Sequence, residues 1–157
     1  MTISKRVTPS KASAVFLDRD GVINVEVSYC HKIANFKFVP GVFDVLRLLQ
    51  QQYDHLIIVT NQAGIARGYY TEDDFLRLTV WMKKELALEG INISHVYYCP
   101  HHPAGLPPYN IECDCRKPLP GMLLAAIAEY NIETSTSVLF GDKRSDLEAA
   151  RNANQGC

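Results

Sequence analysis

The segment Ala14-Val15-Phe16-Leu17-Asp18-Arg19-Asp20-Gly21 ends an apolar run in two aspartates set two residues apart. Residues i and i+2 of a strand share a face, so Asp18 and Asp20 leave the run aimed at one spot. Two carboxylates converging there repel each other unless a cation or a shared proton offsets the charge, which points to a divalent metal site or an acid/base pair. A solvated Asp-Arg-Asp-Gly turn is the competing reading, since Asp and Gly are common turn residues. Further along stand Thr60-Asn61-Gln62, Arg116-Lys117-Pro118 and Gly141-Asp142-Lys143. Whether these groups meet the two aspartates depends on the elements that carry them.

Short apolar runs alternate with amphipathic stretches, the pattern of a parallel sheet covered by helices. Strands are expected at Ala14 to Leu17, Leu56 to Thr60, His95 to Tyr98 and Val138 to Phe140. Helical spacing links Val42, Val45, Leu46 and Leu49 after Pro40-Gly41, then Phe75, Thr79, Met82 and Leu86 after Thr71, then Leu123, Ala126, Ile127 and Tyr130 after Pro120. These stripes read as core. Thr71 with Asp74 forms a capping pair, Gly90 a stop, and Ser145 with Glu148 resembles a capping box opening a last helix. In open α/β sheets ligands bind beyond the carboxyl ends of the strands. That rule gathers Asp18, Asp20, Thr60, Asn61, Gln62, Gly141, Asp142 and Lys143 at one edge, and Lys117 can reach it from the long loop after the third strand.

Three carboxylates, a hydroxyl and a lysine around one point suit a Mg²⁺-bound phosphate. Mg²⁺ prefers oxygen ligands and typically takes one or two carboxylates plus phosphate oxygens, and Asp18 and Asp142 fit as those ligands. Lys117, Thr60 and backbone amides can stabilise a transferring phosphoryl group. If Asp18 attacks phosphorus, Asp20 is free to protonate the leaving alkoxide and later to activate water, which makes a two-step phosphohydrolase.

Cys99-x-His101 followed by Cys113-x-Cys115 supplies three thiolates and an imidazole, the Cys₃His set of a closed, structural zinc site. The competing reading is three free cysteines packed as small hydrophobes. A long Pro- and Gly-bearing loop that buries little apolar surface needs a staple, and zinc would be that staple, holding Arg116 and Lys117 at the phosphate edge. Spacing alone leaves His102 open as an alternative to His101. Cys30 and Cys157 are left over, and His31, His55 and His95 are read as ordinary surface or core residues.

Phe16-Leu17-Asp18-Arg19-Asp20-Gly21-Val22-Ile23-Asn24, Val59-Thr60-Asn61-Gln62, Arg116-Lys117-Pro118 and Gly141-Asp142-Lys143 resemble the four ordered motifs of the haloacid dehalogenase (HAD) superfamily of phosphatases. TNQAGIARG at 60–68, YYCPHHP at 97–103 and CDCRKPLPGML at 113–123 narrow the resemblance to its D-glycero-D-manno-heptose-1,7-bisphosphate 7-phosphatase family. Histidinol-phosphate phosphatases share the start and the zinc loop, but their second motif usually continues with an acidic residue rather than Ala63-Gly64-Ile65-Ala66-Arg67-Gly68. The resemblance implies a Rossmann-like three-layer α/β fold with a parallel sheet and a zinc-stapled loop. It makes Asp18 the nucleophile and a Mg²⁺ ligand, and Asp20 the general acid/base with its backbone carbonyl on the metal. Asp142 completes the ligands, and Thr60 and Lys117 hold the phosphoryl group. Glu26, Tyr29, Asn61, Arg116 and Lys143 are expected on substrate, and His101 rather than His102 on zinc. Asp146 is either a supporting acid or a favourable charge in a helix first turn. Arg67 either meets a distal phosphate or is an exposed loop arginine.

The activity so implied is release of the 7-phosphate of the heptose bisphosphate, toward activated ADP- or GDP-heptose for lipopolysaccharide or related glycans. Histidinol-phosphate hydrolysis and a non-catalytic zinc-bearing module are the alternatives. Residues 1–157 are read as one domain with no insertion large enough for a cap. Family members continue beyond the position of Cys157 through one more strand, so an exposed edge strand is expected. The net charge of -1, with cations spread along the chain, argues against a nucleic-acid partner. No apolar targeting segment follows Lys5 and Arg6, and no stretch approaches a membrane span. The expectation is a cytoplasmic monomer acting on a small phosphorylated sugar.

Overall fold

A computed structural model describes residues 10–155; Lys5, Arg6 and Cys157 lie outside the described residues. Four parallel strands form one sheet in the order β3-β2-β1-β4, with β1 at Ala14–Leu17, β2 at His55–Asn61, β3 at His95–Cys99 and β4 at Val138–Phe140. Leu17 of β1 lies opposite both Ile58 of β2 and Phe140 of β4. β2 therefore overshoots β1, with Val59 next in register at the level of Asp18 and Thr60 and Asn61 one and two residues beyond it. The expected strands are all present, β2 and β3 each slightly longer than the apolar run suggests.

Strand alternation feeds two cores. Val15, Leu17, Leu56 and Ile58 face one side and pack with α1 (Val42–Gln52) and α3 (Glu72–Leu88) through Leu46, Leu78, Met82 and Leu86. Ala14, Phe16, Ile57 and Val59 face the other and meet Met122, Leu123 and Ala126 of α4 (Gly121–Tyr130) and Ala149 and Ala153 of α5 (Arg144–Gln155). Helices on both faces of a parallel sheet give the three-layer α/β architecture. The segment between β1 and α1 carries only isolated bridges and the 3₁₀ turn Ile33–Asn35, with no cap-sized insertion. Among the described residues no helix is long and apolar enough to cross a membrane.

Thr71 and Asp74 close a full capping box at the start of α3, and Gly90, at a φ of 74°, ends the turn after it. Two local expectations are corrected. Val45 is 55% exposed, because at 100° per residue it sits about 60° off the Val42 direction, on the flank away from Leu46. The last helix begins at Arg144, so Ser145 lies inside its first turn. The Asp146 carboxylate instead accepts the Lys143 N–H at 3.1 Å, and Glu148 pairs with Arg144 at 2.7 Å. β4 pairs with β1 alone among the described residues, and its Val138 and Phe140 are exposed.

Candidate active site

At the end of β1 the Asp18 N–H still bonds to the Phe140 carbonyl at 3.0 Å, which ties the aspartate to the sheet edge. The chain then turns tightly, with the Arg19 carbonyl accepting from Val22, Ile23 and Asn24. Asp18 is buried, and its Oδ1 lies 2.8 Å from the Arg19 N–H and 3.2 Å from Lys117 Nζ. Burial pushes its carboxyl up to about 6; the Lys117 ammonium works against that rise and the Asp146 carboxylate adds to it.

Lys117 is 4% exposed and lodged between acids. Its ammonium reaches Asp146 Oδ1 at 2.5 Å, the Val59 carbonyl at 2.9 Å and Asp18. Its backbone is clamped by one side chain: Asn61 Oδ1 accepts the Lys117 N–H at 2.9 Å, and Asn61 Nδ2 donates to the Lys117 carbonyl at 3.0 Å. Asp146 is thus more than a first-turn charge. It is 1% exposed and joins Lys117 to the start of α5.

Asp142 is exposed, yet its carboxylate lies within 4.8 Å of those of Asp18 and Asp146. Gly21, at a φ of 89°, makes room for it, since a Cβ there would stand 2.4 Å from Asp142 Oδ2. Asp20 is held from three directions. Arg19 Nη2 at 2.9 Å and Asn24 Nδ2 at 3.0 Å donate to Oδ1, and Gln62 Nε2 at 3.2 Å donates to Oδ2.

Asp18, Asp20 and Asp146 open on a cleft of about 460 Å³ lined also by Glu26, Tyr29, Asn61, Arg116, Lys117 and Lys143, whereas Asp142 lines a neighbouring depression with Gly21 and Gly141. Lys143 and Glu26 pair at 3.3 Å across the cleft, and Tyr29 is set by a φ of 56°. Thr60 is placed differently. It is fully buried, does not line the cleft, and accepts the Gln62 amide at 2.9 Å. Arg67 does not line the cleft either.

Cys99, His101, Cys113 and Cys115 bring their ligand atoms within 4.8 Å of one another, a set able to hold a metal ion. His101 Nδ1 stands 3.4 Å from Cys115 Sγ and 3.7 Å from Cys99 Sγ. His102 lies outside this set, its Nδ1 accepting the Ala104 N–H at 3.0 Å. Three supporting residues escaped the sequence reading. Arg19, a charge between two acids, reads as a turn residue, yet it is 1% exposed, with its guanidinium carbon 5.9 Å and 5.8 Å from the Phe36 and Phe75 ring centres. Asn24 and Tyr70 went unread although their partners are near in sequence, Asp20 four residues before Asn24 and Gln62 eight before Tyr70, because neither spacing follows a helix or strand period through a regular element.

Residues 114–156 match the family model of HAD-hydrolase-like proteins. The chain is 51% identical over 140 residues to D-glycero-beta-D-manno-heptose-1,7-bisphosphate 7-phosphatase of Haemophilus influenzae, covering 89% of this chain and 76% of that protein. Identity to the enzyme of the same name from Escherichia coli (strain K12) is 49% over 144 residues, covering 91% and 75%. Among solved structures, D,D-heptose 1,7-bisphosphate phosphatase from B. bronchiseptica, complexed with magnesium and phosphate, superposes with a TM-score of 0.79 at 31% identity, covering 90% of this chain and 76% of that one.

Proposed function

The chain belongs to the D-glycero-beta-D-manno-heptose-1,7-bisphosphate 7-phosphatase family of HAD-like hydrolases, and on that premise we propose that Asp18 and Asp20 carry out a two-step, Mg²⁺-dependent release of the 7-phosphate of the heptose bisphosphate. The observation that carries this reading is the buried Asp18 with Lys117 Nζ at 3.2 Å, set beside a separately held Asp20 at the mouth of one polar cleft.

The donor set suits the metal. Asp18 and Asp142 offer carboxylate oxygens alone, the ligand type Mg²⁺ prefers, whereas Asp146 is taken up by Lys117 and the Lys143 N–H. Asp18, Asp142 and the Asp20 carbonyl would hold Mg²⁺, which would supply positive charge against the nucleophile and the phosphoryl oxygens. In the first step an Asp18 oxygen forms a bond to phosphorus while the ester bond breaks and Asp20 gives its proton to the departing alkoxide. In the second, Asp20 takes a proton from water as that water attacks the aspartyl-phosphate, which frees Asp18 and inorganic phosphate. Lys117 holds positive charge at the reacting centre throughout. Asn61 serves it by clamping its backbone, while Glu26, Tyr29, Arg116 and Lys143 meet the sugar and its second phosphate. Thr60 acts from behind Gln62.

A structural zinc ion on Cys99, His101, Cys113 and Cys115 completes the reading, in a cytoplasmic monomer that feeds heptose into activated form for lipopolysaccharide or related glycans. The test is phosphate release by metal-stripped protein with Mg²⁺ restored, on both anomers of the bisphosphate and on histidinol phosphate. Preference for a bisphosphate anomer is expected, with loss of turnover in Asp18→Asn. Preference for histidinol phosphate would replace the substrate, and turnover surviving Asp18→Asn would overturn the mechanism.

A further inference from the structure

The two oxygens of Asp20 are not equivalent. Oδ1 accepts from both Arg19 and Asn24, at 2.9 Å and 3.0 Å, whereas Oδ2 accepts from Gln62 alone at 3.2 Å. A carboxylate oxygen has two lone-pair sites, so a proton borne by Asp20 has room on Oδ2 and none on Oδ1. The Gln62 side chain is oriented in turn. A carboxylate only accepts, so the amide must present its NH₂ to Asp20, and its carbonyl then points the other way. There Tyr70 Oη donates to Gln62 Oε1 at 2.5 Å and holds the amide that way round. The same NH₂ reaches Thr60 Oγ1 at 2.9 Å.

The phenol is itself fixed. His31 stacks on the Tyr70 ring at 4.9 Å with 7° between planes, and a His31 ring nitrogen meets the Tyr29 carbonyl at 2.8 Å. On another side Gly64 admits the ring, since a Cβ there would lie 2.1 Å from Tyr70 Cε1. A chain of contacts therefore runs from the Glu26 to Tyr29 segment through His31, Tyr70 and Gln62 to Asp20.

We propose that Gln62 and Tyr70 are positioning residues that make Asp20 Oδ2 the oxygen that delivers and retrieves the proton. This rests on the reading of Asp20 as general acid and base. In the first step the Oδ2 proton passes to the ester oxygen as its bond to phosphorus breaks and the Asp18 oxygen–phosphorus bond forms. In the second, water bonds to phosphorus, the Asp18 oxygen leaves, and the water proton returns to Oδ2.

The test compares kcat/KM on the heptose bisphosphate with that on p-nitrophenyl phosphate, using the Mg²⁺-loaded protein. An alkoxide needs the proton to leave and p-nitrophenolate scarcely does. kcat/KM reports steps only through transfer to Asp18, so the later hydrolysis does not blur the comparison. Tyr70→Phe keeps the ring and its stack and removes the hydroxyl alone. The alkyl-to-aryl ratio of kcat/KM should fall about tenfold in Tyr70→Phe and further in Gln62→Leu, short of the roughly 10²–10⁴-fold that the general acid itself contributes. Proportional loss on both substrates in Tyr70→Phe, with an unchanged melting temperature, would overturn the inference. Asp20→Asn separates the two levels: if it shows no leaving-group bias, the general-acid reading falls, and if it shows the bias while Tyr70→Phe does not, the positioning role alone falls.

Discussion

Asp20 depends on a buried cation that no local pattern announces. Arg19 binds Asp20 at 2.9 Å and the Cys30 carbonyl at 2.8 Å, between the Phe36 and Phe75 rings. A methionine there fills much of the same volume but takes the Arg19 donor from the Cys30 carbonyl and the countercharge from Asp20, which keeps only the neutral amides of Asn24 and Gln62. Removing one partner of a buried pair costs more than the pair contributes, and since the Asp20 side chain is 20% exposed, Arg19→Met should lose about 2–3 kcal/mol, below the fully buried range. Urea unfolding measures it, and a loss under about 0.5 kcal/mol, the level of an ordinary surface change, would show the clamp to be ornamental. Gly21 sets the opposite corner of the site. With its φ of 89° and Asp142 Oδ2 2.4 Å from where a Cβ would stand, Gly21→Ala must displace that carboxylate. Mg²⁺ affinity, followed by titration calorimetry, should weaken by tenfold or more, about 1.4 kcal/mol. Unchanged affinity would remove Asp142 from the ligand set.

Elements deliver these side chains, and the loop from β3 to α4 is the one that needs outside help. Cys99, His101, Cys113 and Cys115 gather its two ends into a set able to hold a metal ion, and it is tied at Lys117 by the Asn61 clamp and at Leu106 by the Ala66 carbonyl at 2.6 Å. With the proposed zinc on that set, its removal should free residues 100–115 while Lys117 stays partly held. Chelation is expected to lower kcat on the order of tenfold, as small misplacements of a phosphate-binding group do, and to speed amide exchange in the loop but not in β1 or β2. If chelation unfolds the sheet as well, zinc supports the fold rather than the loop. The strands were legible from their apolar runs, and the paired aspartates from the two-residue period of β1. Other placements were not. Thr60 ends behind Gln62 because the Gln62 side chain folds back over it, and Asp146 is engaged by Lys117 from 29 positions earlier. Spacing within one element does not encode either event. His101 and His102 differ only in which way the turn at the loop entrance points each ring, and that too is a property of the folded loop.

At the scale of the molecule, the fold concentrates negative charge at the carboxyl edge of its sheet, and that choice couples stability to metal and to pH. Burial raises the Asp18 carboxyl to about 6, above its ordinary value of 3.8. The native state then holds more protons than the unfolded chain between those limits, so this group's contribution to stability falls as pH rises from about 4 to about 6 and stays lost above. Two pKa units correspond to a penalty on the order of 2–3 kcal/mol at neutral pH. A divalent cation bound to the same carboxylate works in the other direction, since binding to the native state alone adds RT ln(1 + [L]/Kd), about 2.7 kcal/mol at a hundredfold excess over Kd. Protons and Mg²⁺ compete for Asp18. The rise in melting temperature caused by Mg²⁺ should therefore be small at pH 5 and larger at pH 7.5, measured by calorimetry with and without the metal. Asp18→Asn removes both the proton and the ligand charge, so it should melt higher than the metal-free native chain at pH 7.5 and respond weakly to Mg²⁺ at either pH. A Mg²⁺ shift of equal size at pH 5 and 7.5, or one kept intact in Asp18→Asn, would place the metal away from the nucleophile.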